Sequence, residues 1–319
     1  MCVSVDARRE WARKDAIGAM VRKTQCVTIT ASGKTSVITA DGKKLGDVLW
    51  INERLRMNSL KKILAAWEAL PEEERKPGRK VDYGTPDPSR PLVRPPEGTL
   101  ILAGQFRRFM RNPDGTLRYT EQADYNPGEG QQGWQRLREP AQDMMWIPER
   151  EWRALIPESP QKGQSMPAPA SFVARLARYQ LDPERGLGES VKFLNVQPKV
   201  AEVVITVEEV TEKELHLRLT GQFDLAITEP GSKREVAYAP AILGYVTYDR
   251  QARRITRFDL LAFGEANNSP RGLITGKYWL GIVYELVEKP TPTQLVWPRG
   301  ARDDLNAYLA PRPLVMASK

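Results

Sequence analysis

The stretch from Lys199 to Val287 constrains this chain more than any other. Val203–Val210, Glu214–Leu219, Gln222–Thr228, Ile242–Tyr248, Ile255–Phe263 and Leu280–Val287 alternate apolar with polar residues or run β-branched. A period of two sends successive side chains to opposite faces, so each run fits a strand with one buried face. The joins are short, Thr211–Glu214 in one case and Asp249–Arg253 in another. Joins of that length link antiparallel neighbours, because a parallel pair needs a crossover of about a dozen residues. This half of the chain is expected to be an antiparallel sheet.

Thr99–Ala103 and Gln105–Met110 add strand-like runs before a turn at Asn112–Gly115, and Asn126–Gly133 is a Gly/Gln-rich loop. Glu149–Leu155 reads as a short helix. Pro169–Tyr179 reads as a clearer one, with Phe172, Val173, Leu176 and Tyr179 on one side. Tyr245, Tyr248, Phe258, Phe263, Tyr278, Trp279 and Tyr284 concentrate in the last strands. A helix across such a sheet either closes a core or covers an apolar ligand. An apolar small ligand and a protein partner are therefore both open as partners.

The first third reads differently. Cys2–Asp6 is strand-like, Arg8–Arg22 helical, and Cys26–Thr30 a second β-branched strand. Thr35–Ala40 and Lys44–Leu49 form a hairpin over Asp41-Gly42, a favoured two-residue turn. A helix follows, capped by Asn58 or Ser59, with Leu60, Ile63, Leu64, Trp67 and Leu70 on one face, and Pro71 ends it. Pro86, Pro88, Pro91, Pro95 and Pro96 then make residues 76–97 an extended linker.

The order strand, helix, strand, hairpin strand, helix over residues 2–70 resembles the thioredoxin fold from its middle strand to its last helix, about a fifth of the chain. The family's Cys-x-x-Cys lies on an earlier strand and helix, and a cis-proline precedes its hairpin. Here the chain begins after the first, and Thr28–Ser32 stands in place of the second. No catalytic residue carries over. The whole layout also resembles uncharacterised bacterial secreted proteins in which a thioredoxin-like domain precedes a β-rich region. Leu70–Gly78, Gly244–Asp249 and Arg257–Asp259 carry that likeness. It implies an extracytoplasmic protein whose reading frame has been shortened at its start. Taken literally, the first residues lack a signal-peptide layout and read as cytoplasmic.

Charge and cysteine usage exclude some classes. The net charge is +8, and residues 1–80 hold 17 Lys+Arg against 10 Asp+Glu. No basic motif is interleaved with aromatics in the manner of an RNA-binding sheet, so nucleic acid is not expected. No apolar run reaches the roughly 20 residues of a membrane-spanning helix. Cys2 and Cys26 are too few for a disulfide framework, and with one histidine, His216, no His-rich metal site can form. Neither cofactor nor metal is expected.

The candidate reactive residues are Cys26, Asp249, Asp259 and Glu285. Cys26 sits in a strand-like apolar run, where a thiol is usually inert. The three carboxylates, with Glu265, lie at or near strand ends, where two could converge for acid–base hydrolysis. Asp249 also suits a turn, and Asp259 could simply pair with Arg257. No residue is assigned a catalytic role.

The sequence thus reads as α+β: an incomplete thioredoxin-like unit at 1–75, the linker at 76–97, an antiparallel β domain with short helices at 98–310, and a disordered tail at 311–319. The expected function is non-catalytic, binding or structural. The alternative is a thiol-disulfide oxidoreductase of the thioredoxin family whose active-site half lies upstream.

Overall fold

The computed structural model describes residues 13–24, 35–39, 42–49, 52–76, 94–128, 134, 140–183, 192–228, 233–269, 272–291, 294–301 and 304–317. The chain divides into two compact units, Met1–Leu92 and Val93–Lys319, both mixing short helices with antiparallel strands.

In the first unit, helix α1 spans Ala16–Thr24, strands β1 (Thr35–Ile38) and β2 (Lys44–Val48) pair antiparallel, and α2 spans Glu53–Glu68. The expected hairpin is present with a wider tip. Thr39 N donates to Lys43 O (2.9 Å) and Gly42 N to Thr39 O (3.0 Å). Gly42, at φ 84°, takes the left-handed conformation that glycine adopts without a Cβ clash. Helix α2 starts nearly two turns earlier than the capping reading placed it. The Asn52 side chain accepts from Leu55 N (2.9 Å), while Ser59 lies inside the helix, donates to Arg56 O (2.7 Å) and accepts from Leu49 N (3.2 Å). Glu72–Arg75 adds one turn, α3. The expected strands at Cys2–Asp6 and Cys26–Thr30, and most of the linker, lie outside the described residues.

The second unit is built on a sheet of nine antiparallel strands. In chain order they are β3 (Leu100–Arg111), β4 (Leu117–Tyr119), β5 (Ala141–Ile147), β6 (Ser165–Pro167), β7 (Val200–Val210), β8 (Glu214–Thr228), β9 (Glu235–Asp249), β10 (Arg254–Asn267) and β11 (Lys277–Leu286). Across the sheet the order is β4-β3-β11-β10-β9-β8-β7-β6, with β5 beside β4 on the same edge of β3. Strands β7 to β11 form the meander that the alternation and short joins require. Thr99–Ala103 and Gln105–Met110 merge into one strand, as do Glu214–Leu219 and Gln222–Thr228.

Strand β9 runs seven residues further back than its alternating part, from Ile242 to Glu235, and passes through Pro240. Proline brings no N–H to a central strand. The β8–β9 pairing lapses at Phe223 and Asp224, opposite Pro240 and Ala239, and resumes at Leu225. On the other side Gly264 faces Pro240, and a Cβ there would lie 2.5 Å from Pro240 Cα and 2.1 Å from Ala239 O.

One face of the sheet holds the core. Helix α4 (Glu149–Arg153) follows β5, and α5 (Ala170–Arg175) runs into a π-helical turn, Leu176–Gln180. Phe172, Leu176 and Leu181 of this segment pack with Leu217, Phe258, Leu260, Ile282 and Tyr284 of the strands. The sequence placed apolar residues on one side of this helix. In the structure Ala174, Arg175, Ala177 and Gln180 are fully buried as well. Leu181 N closes the π turn on Leu176 O (2.8 Å), and the extra residue re-aims Tyr179 and Gln180. The short helix α6 (Leu305–Leu309) packs Tyr308 against Tyr179, with ring centroids 5.0 Å apart.

Candidate binding cleft

A concave site of about 280 Å³ lies in the second unit at one end of the sheet. Helix α4 opens after Pro148 and sets Trp152 against the core, where its indole Nε1 donates to Gly98 O (2.8 Å). Arg153 lies 4.7 Å over the Trp152 ring and pairs with Glu149 (2.6 Å). The chain leaving the helix contributes Ile156, Pro157, Glu158 and Pro160 to one wall. Leu215 of β8, Tyr248 of β9, and Arg250 and Arg253 of the β9–β10 turn form the other.

The turn itself is ordered by Asp249. Its Oδ1 accepts from Gln251 N (2.9 Å) and Ala252 N (2.8 Å), the role that aspartate plays where a turn begins. Arg250 ties this turn to the neighbouring one, donating its backbone N to Lys213 O (2.8 Å) and its guanidinium Nη1 to Thr211 O. Arg253 closes the turn at φ 54°, in the left-handed region. Glycine or asparagine ordinarily fills such a position, since a side chain there costs about 1–2 kcal/mol. Neither Arg250 nor Arg253 pairs with a carboxylate among the described residues.

The sequence candidates fall in three places. Asp249 holds the turn beside the cleft. Asp259 and Glu285 sit directly opposite one another on β10 and β11, but on the outer sheet face, away from the core. There Asp259 bonds Arg257 (2.5 Å), Glu265 pairs with Lys277 (2.8 Å), and Glu285 is exposed. An open face offers none of the water exclusion that an acid–base pair uses. Cys26 lies outside the described residues. His216 approaches Glu214 (Nε2–O 3.2 Å) on the same outer face. Among the described residues no group of three His, Cys, Asp or Glu side chains could hold a metal ion.

Two features had no motif to announce them. On the outer face Tyr119, Phe109, Phe263 and Trp279 line up across β4, β3, β10 and β11, with centroid spacings of 5.5, 6.0 and 5.3 Å. Arg107 stacks 3.7 Å over Tyr119, and Arg111 4.5 Å over Trp279. The second is a buried polar lock. Arg175 grips Glu151 through two bonds (2.6 and 2.8 Å) and donates to Tyr308 O (2.7 Å), with the Tyr308 ring 4.6 Å beneath. Burial opposes its charge, but the bonds to Glu151 and Tyr308 outweigh this and hold its pKa above the ordinary arginine value. The Tyr308 hydroxyl accepts from Trp146 N (3.1 Å) and Gln180 Nε2 (2.9 Å), which satisfies a backbone donor of β5. Arginine in a helix looks solvated in sequence, and only the tertiary partner reverses that.

The first unit carries an apolar hollow of about 430 Å³ between Val37, Ile38 and Leu45 of the hairpin and Leu60, Ile63, Leu64 and Trp67 of α2. No helix among the described residues is long and apolar enough to cross a membrane. Comparison with protein families, curated proteins and solved structures finds no match for this chain.

Proposed function

We propose that this chain is a non-catalytic binding protein and that the cleft between α4 and the β9–β10 turn holds its ligand. One observation carries the reading: Arg253 occupies a left-handed turn position at the rim of a concave site lined by Trp152, Tyr248 and Leu215. Strained backbone that the surrounding fold maintains tends to mark a working site. A volume near 280 Å³ suits a small polar molecule, with charged groups on the rim for orientation and Trp152 and Tyr248 for contact with its body. For the first unit, the hairpin followed by α2 supports the thioredoxin-like reading of its fold.

The test is a thermal-stability screen of the full chain against small molecules of mixed charge, repeated with Ile156→Trp, which fills the cleft. Compounds that stabilise the wild type and not the filled variant support the reading. A screen in which no compound acts, or in which hits act equally on both proteins, refutes it.

A further inference from the structure

We infer that the ligand of this cleft is a small organic oxyanion, a carboxylate or phosphate on a planar or apolar body, and that Arg253 is its specificity-determining residue. The inference rests on the binding reading above and goes on to the ligand's charge and chemical class.

The cleft lining divides by chemistry. Trp152 and Leu215 are buried at the floor, and Tyr248, Ile156 and Pro160 are half-buried, so the interior has an aromatic and aliphatic base while most of the surface it presents is polar. The rim carries Arg153, Arg250 and Arg253 against one lining carboxylate, Glu158. Arg153 is committed to Glu149 and to the Trp152 ring. Arg250 spends Nη1 on the Thr211 carbonyl and keeps its other donors. Arg253 has no bond or ion pair with the described residues. Two guanidinium groups on one four-residue turn therefore bring several N–H donors and two positive charges to the mouth of a largely polar recess with an aromatic floor. A guanidinium fork matches the paired oxygens of a carboxylate or phosphate, which a lysine point charge does not.

The backbone makes the same point independently. The β9–β10 hairpin joins paired residues Asp249 and Arg254 through residues 250–253. Asp249 accepts two backbone N–H groups and fixes the turn. The last position is left-handed, where glycine would relieve the strain at once. An arginine held there gives up local stability to place a cation. Gly115, Gly42 and Gly276 occupy other positive-φ positions of this chain with glycine. The other non-glycine at positive φ among the described residues is Asn268 (φ 52°), a residue type that tolerates the left-handed region, so Arg253 is the one long side chain held there.

Other parts of the molecule do not serve an anion as well. The outer-face aromatics already carry Arg107 and Arg111 stacked on their rings and form no recess. Arg175, Arg108 and Arg299 are buried or bonded within the core. The hollow of the first unit is lined by apolar residues.

The test measures melting of the full chain at constant ionic strength with phenyl phosphate, benzoate, benzamide and benzylamine, on wild type, Arg253→Gly and Arg253→Asn. Phenyl phosphate, benzoate or both are expected to raise the melting temperature, and the neutral and cationic analogues to leave it unchanged. Which anion acts assigns phosphate or carboxylate. Without ligand the glycine variant is expected to melt at or above wild type, and its affinity for the active anion to fall by at least about tenfold, as the loss of a charge-assisted bond implies. Equal stabilisation of wild type and both Arg253 variants by the anion overturns the inference. So does a neutral or cationic analogue that acts where the anions do not; if Ile156→Trp abolishes that effect, the binding reading stands while the anion assignment falls. If no compound acts on wild type, the binding reading falls and takes the assignment with it.

Discussion

Glu151→Ala isolates the buried lock that fixes helix α5 within the second unit. Arg175 is fully buried and Glu151 nearly so, and their two bonds of 2.6 and 2.8 Å give the guanidinium its only carboxylate partner among the described residues. Removing the carboxylate leaves a charge in the core with only the Tyr308 and Leu309 carbonyls as acceptors. Breaking a buried pair this way costs about 3–5 kcal/mol, and a unit of this size loses about 2–4 °C per kcal/mol, which gives roughly 6–20 °C in melting temperature. The double variant Glu151→Leu/Arg175→Met removes both charges and keeps the volume, so it is expected to recover at least half of the loss. Differential scanning calorimetry reads both numbers. A single variant within about 2 °C of wild type, or a double variant melting as low as the single, refutes the reasoning.

Other outcomes follow from the same packing. Burial holds the Tyr238 hydroxyl well above the usual phenol range and raises Tyr278 and Tyr179 as well, against the lowering effect of Arg108 on Tyr278 and of Arg178 on Tyr179. Raised folded pKa values keep their stabilising contribution below the unfolded value of about 10 and lose it as pH rises through the folded values. Absorbance at the phenolate band should therefore show part of the tyrosines ionising only together with loss of near-UV circular dichroism above about pH 10. Gly264→Ala would push a Cβ into Ala239 O and Pro240 Cα, and urea unfolding should show a loss of about 1–3 kcal/mol. Asp124 is opposed by burial, but bonds from Arg118 and Glu121 N hold its pKa below the usual carboxylate value. Its contribution is present above the unfolded pKa of about 3.9 and lost as pH falls through the lower folded value, so Asp124→Asn should flatten the acid limb of a stability–pH curve.

The meander was legible because each of its strands alternates in sequence and its short turns leave an antiparallel neighbour as the simple continuation. The reach of β9 through Pro240 was not, since a central proline argues against a strand unless a facing glycine, here Gly264, lets the neighbouring backbone close in. The helix at 170–175 was legible as a helix. Its π turn and the burial of its polar Arg175 and Gln180 were not, because both look solvated until Glu151 and Tyr308 arrive from distant segments. Asp249 was picked out by residue type and proves to hold the turn, beside the cleft that Arg250 and Arg253 line. Arg253 carried no signal of its own. Only a backbone angle separates it from the other surface arginines.

The most direct measurement of the central claim is amide hydrogen exchange of the full chain with and without, at saturating concentration, phenyl phosphate or benzoate, whichever raises the melting temperature. The account predicts slower exchange confined to the amides of residues 248–254 and 152–158, the two walls of the cleft. Unchanged exchange there, or protection on the outer face around Phe109, Phe263 and Trp279, would contradict it.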